Sequence, residues 1–254
     1  MLPVLFDIRD NIALLTLNNP QKRNMLTAES CDLMVRYVAE AEANPDVKAL
    51  IVTGEGTAFC AGGQLKDITA DKLQLENIYS GFLCVAQSSL PTIAAVNGPA
   101  VGAGFNLAVG CDVRIVCPEA RFEPRFFGLG LHPGGGNTWM LRQLANWNTA
   151  AGMLLFSQSL SGEFAVEKGL AWSCVARDEL IPSAFRFTEA IQNLPKELLV
   201  RTKTSLRAAG ATNDHNQMVD LETRQQLWSI QQPFAQDAIE QMMASISSST
   251  NKKT

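Results

Sequence analysis

An α/β fold, with a strand–helix core and a helical last third, is predicted for this 254-residue chain by three observations. Short apolar runs alternate with amphipathic stretches up to about residue 136. Helical patterns dominate after that point. Hydrophobic residues make up 46% of the chain and charged residues 18%, enough apolar material to bury a sizeable core. The length is long for one small domain and short for two, which fits a single α/β domain with a helical appendage.

The elements follow in order. Ile12 to Leu17 reads as a strand. Residues 28–43 place Leu33, Met34, Tyr37, Val38 and Ala41 at three- and four-residue spacing, one apolar face of a helix that Asn44-Pro45-Asp46 ends. Ala49 to Thr53 is a buried-strand run stopped by Gly54. A second helix is predicted over 76–89, and Pro91 bars its continuation. Thr92 to Val96 and Asp112 to Val116 are further buried strands. This rhythm predicts crossover connections and largely parallel pairing. Helices are then predicted over 137–145, 148–157, 162–168, 180–193, 197–209, 215–231 and 234–246, interrupted by a short strand from Ala171 to Val175. Ser247 to Thr254 is polar and reads as a frayed tail.

Composition excludes several classes. Twenty-one basic and 25 acidic residues give a net charge of -4, with no electrostatic footprint for nucleic acid. No run of about 18 apolar residues exists, so no membrane span is predicted. Met1 to Asp10 carries Asp7 and Asp10 and lacks a basic start before a long apolar stretch, so it does not read as a secretory signal. The six cysteines (31, 60, 84, 111, 117, 174) follow no metal-ligand spacing and read as buried reduced thiols of a cytoplasmic protein. With only His132 and His215 present, no metal site is expected.

Three glycine-rich segments stand out, over 56–66, 97–107 and 128–139. None has the GxxxxGK[ST] pattern of a phosphate loop, and GxGxxG is missing from the first strand–helix turn. Each alone could be a tight turn. Two of them follow buried parallel-type strands directly, which points to a site. The physical idea is an oxyanion hole: backbone N–H groups at two helix N-termini, flanked by small residues, converging on one carbonyl oxygen. Gly63 and Ala103 are suitable donors.

Five blocks then carry a resemblance to the enoyl-CoA hydratase/isomerase (crotonase) family. They are Asn19-Pro20 through Asn24-Met25-Leu26, Ala58 through Lys66, Ile93 through Gly104, Cys111-Asp112-Val113-Arg114, and Gly130 to Gly136. Their order and spacing agree with the family from about residue 4 to 245. The resemblance implies a ββα spiral core with an acyl-CoA site over 1–180, a helical trimerisation region over 181–246 and the polar tail over 247–254. It places the oxyanion donors on Gly63 and Ala103. It places the CoA-side contacts on the backbone around Ala61, Gly62, Gln64 and Leu65, with Gln64 standing where the family most often has Asp. Lys22 and Arg23 fall where a basic residue approaches the CoA phosphates, and otherwise read as an ordinary solvated pair. The implied partner is an acyl-CoA thioester, with no cofactor beyond coenzyme A as part of the substrate. The implied assembly is a homotrimer or a dimer of trimers, for which Leu194, Leu198, Leu199, Leu206, Met218, Leu221 and Leu227 offer apolar positions.

The catalytic side does not carry over. Family hydratases use two glutamates to activate and deliver one water. Here Asn106 stands at the first position and Phe126 at the second. A neutral amide cannot act as the base and phenylalanine holds no proton to give. Three residues are candidates to replace them: His132 as acid or base, or as a structural histidine; Asn106 as a hydrogen-bonding residue; and Glu123 as an acid, or as the partner of Arg121 or Arg125 in an ion pair. His215, at a helix start, reads as a capping or surface residue. The sequence supports an acyl-CoA-processing enzyme with a non-standard acid/base set, with a catalytically silent acyl-CoA-binding protein as the alternative. A paralogue that has lost CoA is disfavoured by the intact glycine loops.

Overall fold

The computed structural model describes residues 2–64 and 72–250. They fall into two compact units, Met1–Asn193 and Leu194–Thr254.

The first unit is built on a six-stranded sheet. Its strands β1 (Val4–Arg9), β2 (Ile12–Leu17), β3 (Ala49–Gly54), β4 (Thr92–Val96), β6 (Val113–Val116) and β9 (Ser173–Cys174) lie side by side in that order. A three-stranded sheet holds β5 (Pro99–Val101), β7 (Arg121–Glu123) and β8 (Leu160–Ser161). The helices of this unit are α1 (Ala28–Ala43), α2 (Lys72–Gln87), α3 (Ala103–Gly110), α4 (Asn137–Leu144), α5 (Trp147–Leu155), α6 (Gly162–Glu167) and α7 (Leu180–Thr188).

From β2 to β9 the large sheet is parallel, as the alternation predicts. The exception is β1, which folds back antiparallel on β2 through Asp10 and Asn11, both at positive φ (50° and 63°). Its side chains are mostly exposed, with Leu5 and Ile8 facing out, so it carries little burial pattern to read.

Alternate residues of each central strand face opposite ways, and each set meets its own helices. Leu15, Leu17, Leu50, Val52, Ala94 and Val96 share one core with Met34 and Val38 of α1, Phe82 and Val85 of α2, and Phe105 of α3. Ile12, Leu14, Ile51, Ile93, Ala95 and Ile115 form the other core with Leu180 and Ala184 of α7. That helix spans the boundary expected between residues 180 and 181, and both of these residues pack on the sheet. The helix expected over 180–193 ends at Thr188 and continues as a 3-10 turn, Glu189–Ile191.

Side-chain devices fix the ends. Thr27 and Ser30 form a reciprocal capping box at the start of α1. Glu42, near its end, accepts from the hydroxyls of Ser88 and Ser89 and from the Ser89 amide, tying α1 to the turn after α2. Arg114 in β6 is 5% exposed and donates to the carbonyls of Leu170, Cys111 and Asp112.

The second unit comprises α8 (Lys196–Ala209), α9 (His215–Ile230) and α10 (Pro233–Thr250). Asp214, not His215, caps α9, accepting from the amides of Asn216 and Gln217. Arg201 of α8 lies 4.0 Å over the Trp228 ring and bonds Gln225, both on α9. Trp228 meets Phe234 of α10 at 6.2 Å. α10 runs as far as Thr250, into the segment read as the polar tail, and 251–254 lie outside the described residues.

Candidate functional site

The small sheet brings the glycine loops together. On the free edge of β5, Cys60 bridges Ala100 in parallel, with Cys60 donating to the Pro99 carbonyl and accepting from the Val101 amide. One step further out, Gly63 bridges Leu26, and the Leu26 amide donates to the Gly62 carbonyl at 2.8 Å. The approach is backbone on backbone. A Cβ on Gly98 would overlap the Thr57 carbonyl, and one on Gly104 the Cys60 carbonyl. Gly62 is doubly constrained: its φ is +98°, and a Cβ there would lie 2.8 Å from the Val101 carbonyl oxygen.

Every backbone N–H of these loops calls for an acceptor. In the first loop the amides of Phe59, Cys60, Ala61 and Gln64 donate to backbone carbonyls. In the second, Val101 donates to Cys60 and Gly102 to Glu123. The N–H groups of Gly63 and Ala103 have no backbone acceptor among the described residues, and both residues line one cavity. Ala103 is the first residue of α3, whose N-cap, Gly102, has no side chain to cap it. Gly63 is not helical. It belongs to the bridge with Leu26, and the residues after Gln64 lie outside the described ones; the expectation of a helix-terminal donor is met at Ala103.

The cavity has a volume of about 340 Å³. Leu75, Ile78, Tyr79 and Phe82 of α2 form one wall, and Phe126, Leu129 and Leu131 another. Asn106, Arg125 and His132 also line it, and none of its described lining residues is Asp or Glu.

Asn106, 2% exposed, is committed to structure on both sides. Its Nδ2 donates to the Gly134 carbonyl at 2.9 Å, and its Oδ1 accepts from Asn137 Nδ2 at 2.6 Å. Because a carbonyl can only accept, Gly134 fixes the orientation of both amides. Asn137 Oδ1 is left as a buried oxygen without a hydrogen-bond partner among the described residues. Asn106 is therefore the tie between α3 and the third glycine loop.

The other expected residues fall in different places. His132 lines the cavity and is exposed, with Nδ1 2.7 Å from the Pro133 carbonyl. That nitrogen must carry the proton, which leaves the Nε2 lone pair available in the neutral ring. Glu123 is paired to Arg125 (Oε2 to Nε, 2.8 Å), one of the two partners expected, and is not among the lining residues. Arg125 itself lines the cavity at a φ of 39°. Ala61 and Gly62 line it, and Gln64 lies beside it in the bridge to Leu26. Leu65 lies outside the described residues. Lys22 and Arg23 are exposed, and the Arg23 carbonyl accepts from the Ala61 amide at 2.9 Å, so the pair sits at the edge of the first loop. Cys60, beneath that loop, is no nucleophile: burial pushes its thiol up to about 12.

Tyr79 and its neighbours on α2 escaped the sequence reading because that helix carries no motif. The available signal was rarity, since the chain has only two tyrosines.

The architecture of a mixed sheet, a small second sheet and helices around paired glycine loops is that of the crotonase fold. An enoyl-CoA hydratase from Polaromonas sp. JS666 superposes with a TM-score of 0.88 at 26% identity, over 95% of this chain and 97% of that one. A Thermobifida fusca YX protein described as an enoyl-CoA hydratase, solved in complex with CoA, superposes with a TM-score of 0.79 at 28% identity, over 90% and 93%. Residues 7–246 match the enoyl-CoA hydratase/isomerase family, and the chain belongs to it. Among curated relatives, a probable enoyl-CoA hydratase of Mycobacterium tuberculosis is 40% identical over 91% of this chain and 93% of its own length. The 1,2-epoxyphenylacetyl-CoA isomerase of Escherichia coli K12 is 32% identical over 86% and 87%.

Proposed function

We propose that this protein binds acyl-CoA thioesters and processes them through a backbone oxyanion hole, with an acid/base set other than the hydratase carboxylate pair. The observation that carries the reading is the pair of N–H groups of Gly63 and Ala103, without a backbone acceptor among the described residues, on a cavity whose described lining holds no carboxylate. In this reading the two amides hold the thioester oxygen as it gains charge. The backbone of Ala61, Gly62, Gln64 and Leu65 runs beside the CoA, and Lys22 and Arg23 meet its phosphates. His132 Nε2 is the base. Asn106 holds the third loop, and Glu123 orients Arg125. The relative solved with CoA and the relative named as a CoA-thioester isomerase support the substrate class.

The same lack of lining carboxylates favours a second reading, a silent acyl-CoA-binding protein. For assembly, a homotrimer or dimer of trimers is the reading that fits the exposed Leu206, Leu227, Ile230 and Met242 of the second unit. Absence of any disulfide among the six cysteines fits the cytoplasm.

The test combines calorimetric titration with a saturated acyl-CoA and a hydration assay that follows loss of conjugated absorbance of a short 2-enoyl-CoA. Binding is expected, with hydration at least about 10⁴-fold below an ordinary hydratase. Ordinary hydratase turnover by the wild type overturns the reading. Ala103→Pro probes the hole directly: proline is favoured at the first position of a helix, and the N–H it deletes has no backbone acceptor among the described residues. A fall of roughly 10²–10³ in any thioester turnover is expected.

A further inference from the structure

We propose that the Tyr79 hydroxyl is the acid of this site, delivering a proton to the carbon skeleton of a thioester enolate whose base is His132. The inference rests on the oxyanion-hole reading and deepens it.

Three observations place the hydroxyl. Tyr79 lines the cavity from α2. Its ring is set against the fully buried Phe82, with centroids 5.6 Å apart and planes tilted by 54°. Its oxygen lies against Gly134, where any Cβ would overlap it, just as a Cβ on Gly135 would overlap the tip of the Phe82 ring. The third loop is thus glycine where the tyrosine arrives. That loop also carries His132 and accepts from Asn106, so the three polar groups meet on one short segment.

Tyr79 is half-buried, and its hydroxyl makes no hydrogen bond among the described residues. Asn106 is a neutral amide held by Gly134 and Asn137 and Phe126 is inert, so the two positions where the family keeps carboxylates supply no proton. A phenol is a competent donor to carbon, because an enolate carbon is far more basic than a phenolate.

The step balances without a further reagent. With a 3-enoyl-CoA, His132 Nε2 takes a proton from C2. The electron pair moves into the dienolate, whose oxygen rests on Gly63 and Ala103. The double bond then forms between C2 and C3 as C4 takes the Tyr79 proton. The imidazolium left on the exposed His132 returns its proton to the phenolate through solvent.

The experiment uses wild type, Tyr79→Phe and His132→Ala with a 3-enoyl-CoA in D2O. Gain of conjugated absorbance reports isomerisation, and mass spectrometry with NMR reports deuterium at C2 and C4. Tyr79→Phe removes one unpartnered oxygen and keeps the ring packing, so it is expected to fold and to bind acyl-CoA as the wild type does. Its isomerisation is expected to fall roughly 10²–10³-fold, with KM within about threefold and C2 deuteration retained. His132→Ala is expected to lose both readouts. The proposal is overturned if Tyr79→Phe isomerises like wild type, or if it loses C2 deuteration and binding together, which would mark a structural role. Wild type that binds acyl-CoA without isomerising or deuterating it also overturns the proposal and leaves the silent binding protein. Wild type that binds no acyl-CoA removes the functional reading beneath it.

Discussion

Gly62 shows how single residues set the geometry of the site. Its φ of +98° and its 2.8 Å clearance to the Val101 carbonyl both forbid a side chain. Gly62→Ala is expected to destabilise the protein by about 1–3 kcal/mol and to weaken acyl-CoA binding by moving Gly63. Urea unfolding midpoints beside calorimetric titrations check this. Asn106 is the second case. Asn106→Leu keeps the branched shape in a larger side chain, but leaves the Asn137 side chain, among the described residues, with neither its acceptor nor any partner for its Oδ1. A loss of about 2–3 kcal/mol is expected, read from the same unfolding curves. The roles of these residues were unevenly legible. Glycine at 62 announces a close approach, whereas an asparagine says nothing of a chain that runs from Asn137 through Asn106 to Gly134.

At the scale of elements, β6 depends on Arg114. Its guanidinium reaches three carbonyls from inside the protein, one of them on Leu170 at the far end of the crossover to β9. Arg114→Ala strands those carbonyls and is expected to cost at least about 3 kcal/mol. Arg114→Lys is expected to recover only part, because one ammonium cannot reproduce the fork. Thermal denaturation of the three proteins ranks them. The elements also show where sequence reading stops. The helix over 28–43 and the strands Ile12–Leu17 and Thr92–Val96 emerge as read, since burial of one face or of both leaves a strong pattern. β1 is an exposed edge, and β5, β7 and β8 have three, three and two residues, too few for any period to show. Those short strands join the glycine loops, so the framework of the site was the least legible part of the fold.

For the whole molecule, the buried thiols tie stability to alkaline pH. Burial pushes Cys31 up to about 11, and Cys60 and Cys84 up to about 12, from 9.0 for a free thiol. Above pH 9 the unfolded chain releases these protons while the folded chain keeps them. The contribution is therefore intact below pH 9.0 and is lost as pH rises through 11 to 12. Chemical denaturation in steps from pH 8 upward is expected to show this fall. Iodoacetamide at pH 8 is expected to label Cys31 and Cys60 only after unfolding. Rapid labelling of the native protein would show that the core opens.

The interlocked glycines bear on ancestry. A lineage that stopped handling any ligand would still be obliged to keep Gly98 and Gly104, because backbone occupies the space their side chains would need. Their survival in a descendant attests the fold and is silent on chemistry, which removes the argument that intact glycine loops exclude a paralogue without CoA. The telling positions are the dispensable ones. Drift is free to erase the Tyr79 hydroxyl, which bonds no described residue, and the exposed ring of His132 without harm to folding, so their retention across diverging descendants would record selection for a reaction.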